Sequence, residues 1–165
     1  CLRQAVPYLF DCNSVDPFTR EGKDKIVDTV EGRKSVRYLL GTLGDALEDY
    51  FGEFFMPYNA VRQARQVEEE EGNRNFVFPS VRKNQGVYYK RQGGYVVEVE
   101  RPGIEPSSHK FDQWNRDIVD AVIVNDGTVE DLKNSAARLM LNLDRLLTHT
   151  LRIHANGNTV MRRRP

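Results

Sequence analysis

Apolar positions along the chain follow two kinds of pattern, and the switch between them sets the predicted architecture. From residue 129, Val129, Leu132, Ala136, Leu139, Met140, Leu143, Leu146 and Leu147 recur at helical spacing and predict an amphipathic helix. Thr128, with Asp131 three residues on, supplies a capping box at its start. A second stripe, Val36, Leu39, Leu40, Leu43 and Leu47, predicts a helix capped by Ser35, with Arg37 off the stripe. Gly41 and Gly44 fall inside it at a cost of about 1 kcal/mol each relative to Ala, so they indicate close packing or a surface facing a ligand. Pro57 opens a third helix with Tyr58, Val61, Ala64 and Val67 facing inward, ending at the four glutamates of residues 68–71 and Gly72.

Residues 74–127 are patterned differently. Asn75-Phe76-Val77-Phe78, Tyr95-Val96-Val97-Glu98-Val99 and Ala121-Val122-Ile123-Val124 are short apolar runs, and a helix-length segment, residues 81–92, separates the first two. That combination predicts buried parallel strands rather than half-exposed surface ones. Ligands bind where such strands end, so the corners Ser80-Val81-Arg82, Arg101-Pro102-Gly103 and Asn125-Asp126-Gly127 are the first candidates for a site.

The intervening segments are less regular. Leu2, Val6, Leu9 and Phe10 outline a short or kinked helix around Pro7. Residues 11–32 read as a polar loop, locally basic through Lys23 and Lys25, with Arg33 and Lys34 beyond it, and either solvated or facing a phosphate. Tyr50, Phe51, Phe54, Phe55 and Tyr58 form an aromatic cluster that serves as core or as a partner contact. Residues 103–115 read as a loop or lid, in which His109 is weak evidence of phosphate chemistry and Trp114 a packing anchor. Arg162, Arg163 and Arg164 make the last ten residues a basic tail.

Length and charge narrow the function classes. At 165 residues the chain suffices for one domain with its own core. Twenty-four Lys and Arg balance 24 Asp and Glu, so no global field draws nucleic acid or an anionic membrane, and phosphate recognition must be local. No apolar run approaches the ~20 residues of a membrane span. Cys1 and Cys12 have neither a metal-ligand spacing nor a disulfide framework, which suits a reducing cytoplasm. The chain opens on Cys1 and reads as the remainder of a longer one.

Several stretches carry a resemblance in their order. They are Ser35-Val36-Arg37-Tyr38-Leu39-Leu40-Gly41-Thr42-Leu43-Gly44, then Val77-Phe78-Pro79-Ser80-Val81-Arg82, then residues 93–103, His109, and Val124-Asn125-Asp126-Gly127-Thr128-Val129-Glu130-Asp131-Leu132. Together they resemble the phage-type deoxynucleoside monophosphate kinases, relatives of the P-loop adenylate and dephospho-CoA kinases. The resemblance implies an α/β fold of three layers, a mainly parallel sheet flanked by helices. It also implies transfer of the γ-phosphoryl of ATP, with Mg²⁺, to a deoxynucleoside monophosphate in a host cytoplasm. By the same resemblance Arg37 and Arg82 are the catalytic phosphate contacts, and Arg3, Gly44 and Ser80 are substrate-binding positions. One kinase-like domain then spans residues 1–155, with 156–165 as the basic tail.

The sequence also departs from that family. No Gly-x-x-x-x-Gly-Lys-Ser/Thr occurs, so activity depends on a phosphate loop upstream of residue 1. Ser80 stands at the usual strand-end aspartate, Gly86 about where a glutamate follows, and Phe54 where an arginine is common. These substitutions favour an alternative, a catalytically degenerate kinase fold serving as a nucleotide-binding or protein-interaction module with a homo-oligomeric or host partner.

Overall fold

The computed structural model describes residues 16–72, 74–104, 113–143, 145 and 149–163. The expectations for residues 2–10, Arg3, His109, Leu146 and Leu147 lie outside these. The chain divides into two compact units, Cys1–Asn59 and Ala60–Pro165.

In the first unit, α1 (Arg20–Asp24) is capped by Thr19, whose hydroxyl accepts from the Gly22 amide at 3.0 Å. Gly22 is buried, and a Cβ there would collide with the Asp16 carbonyl oxygen. The antiparallel hairpin β1 (Ile26–Thr29) and β2 (Gly32–Ser35) follows directly. Residues 16–32 are therefore not the loop that their polarity predicts, because alternating exposed and half-buried positions in β1 let a polar sequence hold a ladder, and residues 11–15 lie outside the described residues. Ser35 ends β2 and caps α2 (Val36–Phe51), its hydroxyl accepting from the Tyr38 amide at 3.1 Å, as expected. The Val36 amide donates to the Lys25 carbonyl at 2.9 Å, and Val36 and Leu39 are buried. Gly52, at φ +97°, ends the helix.

Helix α3 (Phe55–Glu71) starts two residues before Pro57, which is fully buried in its first turn where no intrahelical donor is lost. It stops before Gly72 at φ +82°, as predicted.

The second unit contains a four-stranded sheet in the order β3 (Val97–Glu100), β4 (Ala121–Val124), β5 (His149–His154), β6 (Thr159–Arg163). The first three are parallel and β6 is antiparallel, so the arrangement is α/β with a mixed, mostly parallel sheet. The core gathers Ala121, Ile123, Leu151 and Ile153 from one face of the sheet with Leu139 of α5 (Val129–Met140), and Leu132 and Leu143 pack against it.

Three expectations change. Strand β3 is not the buried strand predicted, since Val97 and Val99 are exposed and Glu98 and Glu100 half-buried. Residues 75–78 form no strand: Val77 is 88% exposed, and the third parallel strand is β5 instead. The stripe from 129 to 147 also breaks at Met140, where the C-cap Leu141 tightens the turn, and the chain returns as β5. Much of the basic tail, residues 159–163, is strand β6. Helix α4 (Gln85–Arg91) is shorter than the predicted 81–92 because Ser80 and Lys83 adopt left-handed backbone, φ +63° and +46°, which no helix accommodates.

Candidate phosphate site

Helix spacing places Arg20, Lys23 and Asp24 of α1 three and four residues apart, on one side of that helix. Arg37, in the first turn of α2 just beyond the Ser35 cap, completes a polar depression with these three residues, about 540 Å³ in volume. Both Nε and a terminal nitrogen of Arg37 donate to the same Asp24 oxygen, at 2.9 and 2.7 Å. Asp24 thereby occupies one edge of the guanidinium while its own side chain stays 54% exposed and that of Arg37 56%. Three cations against one carboxylate leave an excess of two positive charges lining an open hollow. Such a hollow suits a small dianion such as a phosphomonoester.

Arg37 stands out in the sequence through the family resemblance and Lys23 only as part of a basic stretch, while Arg20 belongs to neither reading. Its signal was available, since the spacing Arg20, Lys23, Asp24 becomes visible once residues 20–24 are read as a turn of helix. Gly44 lies further along α2 and is half-buried.

In the second unit, two of the three candidate corners come together. Glu100, Val124 and His154 are register partners, so Arg101-Pro102-Gly103, Asn125-Asp126-Gly127 and the turn after His154 share the carboxyl edge of the sheet. The Asn125 amide donates to the Glu100 carbonyl at 2.7 Å, and Arg152 pairs with the Glu100 carboxylate. Asp126 accepts from the Ala155 amide at 3.1 Å and faces His154 Nδ1 at 3.5 Å. The amide bond from Ala155, followed by the His154 contact, holds the Asp126 carboxyl below its ordinary 3.8. Asp131 is lowered in the same direction by the Thr128 hydroxyl and then the Thr128 amide, at 2.6 and 2.8 Å.

The Ser80-Val81-Arg82 corner sits elsewhere in this unit. Val81 packs beside Gly86, which in turn abuts Val96 and Ile118, the residues leading into β3 and β4. The Lys83 amide donates to the Gln113 carbonyl at 2.6 Å, and the Asn115 amide donates to the Lys83 carbonyl at 3.0 Å. Arg82 is exposed, and its corner meets the residues that lead into these strands rather than the carboxyl edge, since the described residues 74–82 form no strand to carry it there. Gly86 is buried, and a Cβ would meet Ile118 Cδ1 at 2.6 Å and Val96 Cγ2 at 3.2 Å, so any larger side chain there must displace these two neighbours.

Among the described residues, no group of three or more His, Cys, Asp or Glu side chains could hold a metal ion. No helix among them is long and apolar enough to cross a membrane. Comparisons with protein-family models, with curated proteins and with solved structures return no match for this chain.

Proposed function

We propose that the protein is a deoxynucleoside monophosphate kinase-like protein that takes the acceptor's phosphate between Arg37, Arg20 and Lys23 for phosphoryl transfer from ATP. One observation carries this reading: the arginine that the family resemblance assigns to phosphate lines a depression with two further cations. Phosphoryl transfer demands positioning and charge neutralisation more than covalent chemistry, and a guanidinium fixed on the first turn of a capped helix supplies both. Mg²⁺ binds chiefly through nucleotide phosphates and water in such reactions, so it needs no protein cage of its own. Arg82 is the weaker of the two arginine candidates because its corner meets β3 and β4 from their amino-terminal side.

Specific observations also favour a second reading, the catalytically degenerate interaction module. Position 86, where the family pattern places a glutamate, is a buried glycine packed against Ile118 and Val96 and offers no carboxylate. Tyr50 is 84% exposed, Tyr58 is exposed, and the exposed Phe51 stacks on Phe55 with ring centroids 4.7 Å apart, a surface suited to a protein partner.

Turnover separates the two. With ATP, Mg²⁺ and each of the four deoxynucleoside monophosphates, kinase activity yields a diphosphate, and Arg37→Ala removes most of it, a loss of several kcal/mol in transition-state stabilisation, about 3 by analogy with other charge-stabilising donors. Binding of the monophosphates without turnover is expected of the degenerate module and equally of a kinase chain without its phosphate loop, so phosphoryl transfer is the outcome that decides. Neither binding nor turnover contradicts both nucleotide readings.

A further inference from the structure

We infer that Asp24 is a built-in competitor for the phosphate, a carboxylate that occupies Arg37 until a ligand's anion displaces it. The inference rests on the phosphate-binding reading of the same depression. Two donors of Arg37, Nε and a terminal nitrogen, converge on one Asp24 oxygen at 2.9 and 2.7 Å. These are the donors that a phosphate would claim in a two-pronged contact, and the guanidinium fork cannot serve two anions with the same pair of N–H groups. Arg20 and Lys23 line the hollow beside the pair, so an arriving dianion meets two more cations as it takes the place of Asp24.

The exchange is easy because both side chains are more than half exposed. A pair of this kind holds its closed state by a factor of about two to five, and apparent ligand affinity falls by the fraction of Arg37 that is occupied. Asp24 thus lowers the affinity of every anion by the same small factor, and phosphomonoester dianions, which gain most from the three cations, stay bound most tightly.

The test is calorimetric titration of the full chain with inorganic phosphate and with deoxythymidine monophosphate, comparing wild type, Asp24→Asn, Asp24→Ala and Glu21→Gln. Glu21→Gln removes the same charge from the same helix at an exposed position outside the lining of the depression. If Asp24 competes, both Asp24 variants bind each ligand about two- to fivefold more tightly than Glu21→Gln does. Equal tightening in all three variants reduces the effect to net charge and overturns the competitor role while leaving phosphate binding in place. Weaker binding in the Asp24 variants makes Asp24 a positioning residue for Arg37 and overturns it as well. Absence of binding in every form overturns the phosphate reading itself, and this inference with it.

Discussion

Lys90 and Asp120 form a pair in which the carboxylate is only 2% exposed: Lys90 Nζ lies 2.7 Å from one Asp120 oxygen, and the other accepts from the Val96 amide at 2.7 Å. Lys90 also donates to the Ile118 carbonyl at 3.0 Å, so one ion pair ties α4 to the residues leading into both β3 and β4. Loss of the carboxylate strands a lysine and a backbone donor together. Asp120→Ala is expected to destabilise the fold by about 3 kcal/mol. Lys90→Met costs at least as much, because it leaves a carboxylate only 2% exposed without the Lys90 charge, whereas Asp120→Ala leaves a lysine that is 30% exposed. Urea denaturation of both variants checks the order.

Gly86 tests the packing of that same junction. Alanine is the better helix former by about 1 kcal/mol, yet its Cβ would press on Ile118 Cδ1, 2.6 Å away. Overpacking of this kind costs about 1–3 kcal/mol, so Gly86→Ala should be neutral to destabilising rather than stabilising. In an Ile118→Val background, which lacks the δ carbon, the same substitution should cost less, with the Val96 Cγ2 contact at 3.2 Å remaining. A double-mutant cycle by thermal or urea unfolding measures the coupling.

Acid sensitivity should reside in the loop between β4 and α5. Asp126 and Asp131 both titrate below their ordinary 3.8 in the folded protein. Their contribution is therefore complete above the unfolded pKa and is lost as pH falls below about 5 and through the folded values. Asp131→Asn should flatten the fall of the urea midpoint between pH 5 and pH 2.5, leaving the slope above pH 6 unchanged. Thr128→Ala, which removes the other half of the capping box, should cost about 1 kcal/mol near neutrality.

These sites also show what the sequence could and could not disclose. The Thr128 capping box, the Ser35 cap and the β3–β4 parallel pair were legible because each depends on neighbours in sequence or on a dense apolar run. Strand β5 was hidden, since Leu143, Leu146, Leu147 and Leu151 prolong the helical period, and only the alternation of Leu151 and Ile153 betrays a strand. Residues 75–78 have strand composition without a ladder, and composition cannot say which edge is available. The cationic depression was half visible: Arg37 stood out through the family resemblance, but its partners required knowing that residues 20–24 coil into a helix.

Phosphate binding by Arg37 is the claim on which the functional account depends, and titration calorimetry of wild type against Arg37→Ala with the four deoxynucleoside monophosphates measures it directly. The account predicts that the wild-type chain binds at least one of them and that the variant, still folded, binds it at least about tenfold more weakly, as expected for a lost charge-assisted contact. Equal affinity in the two proteins would contradict it.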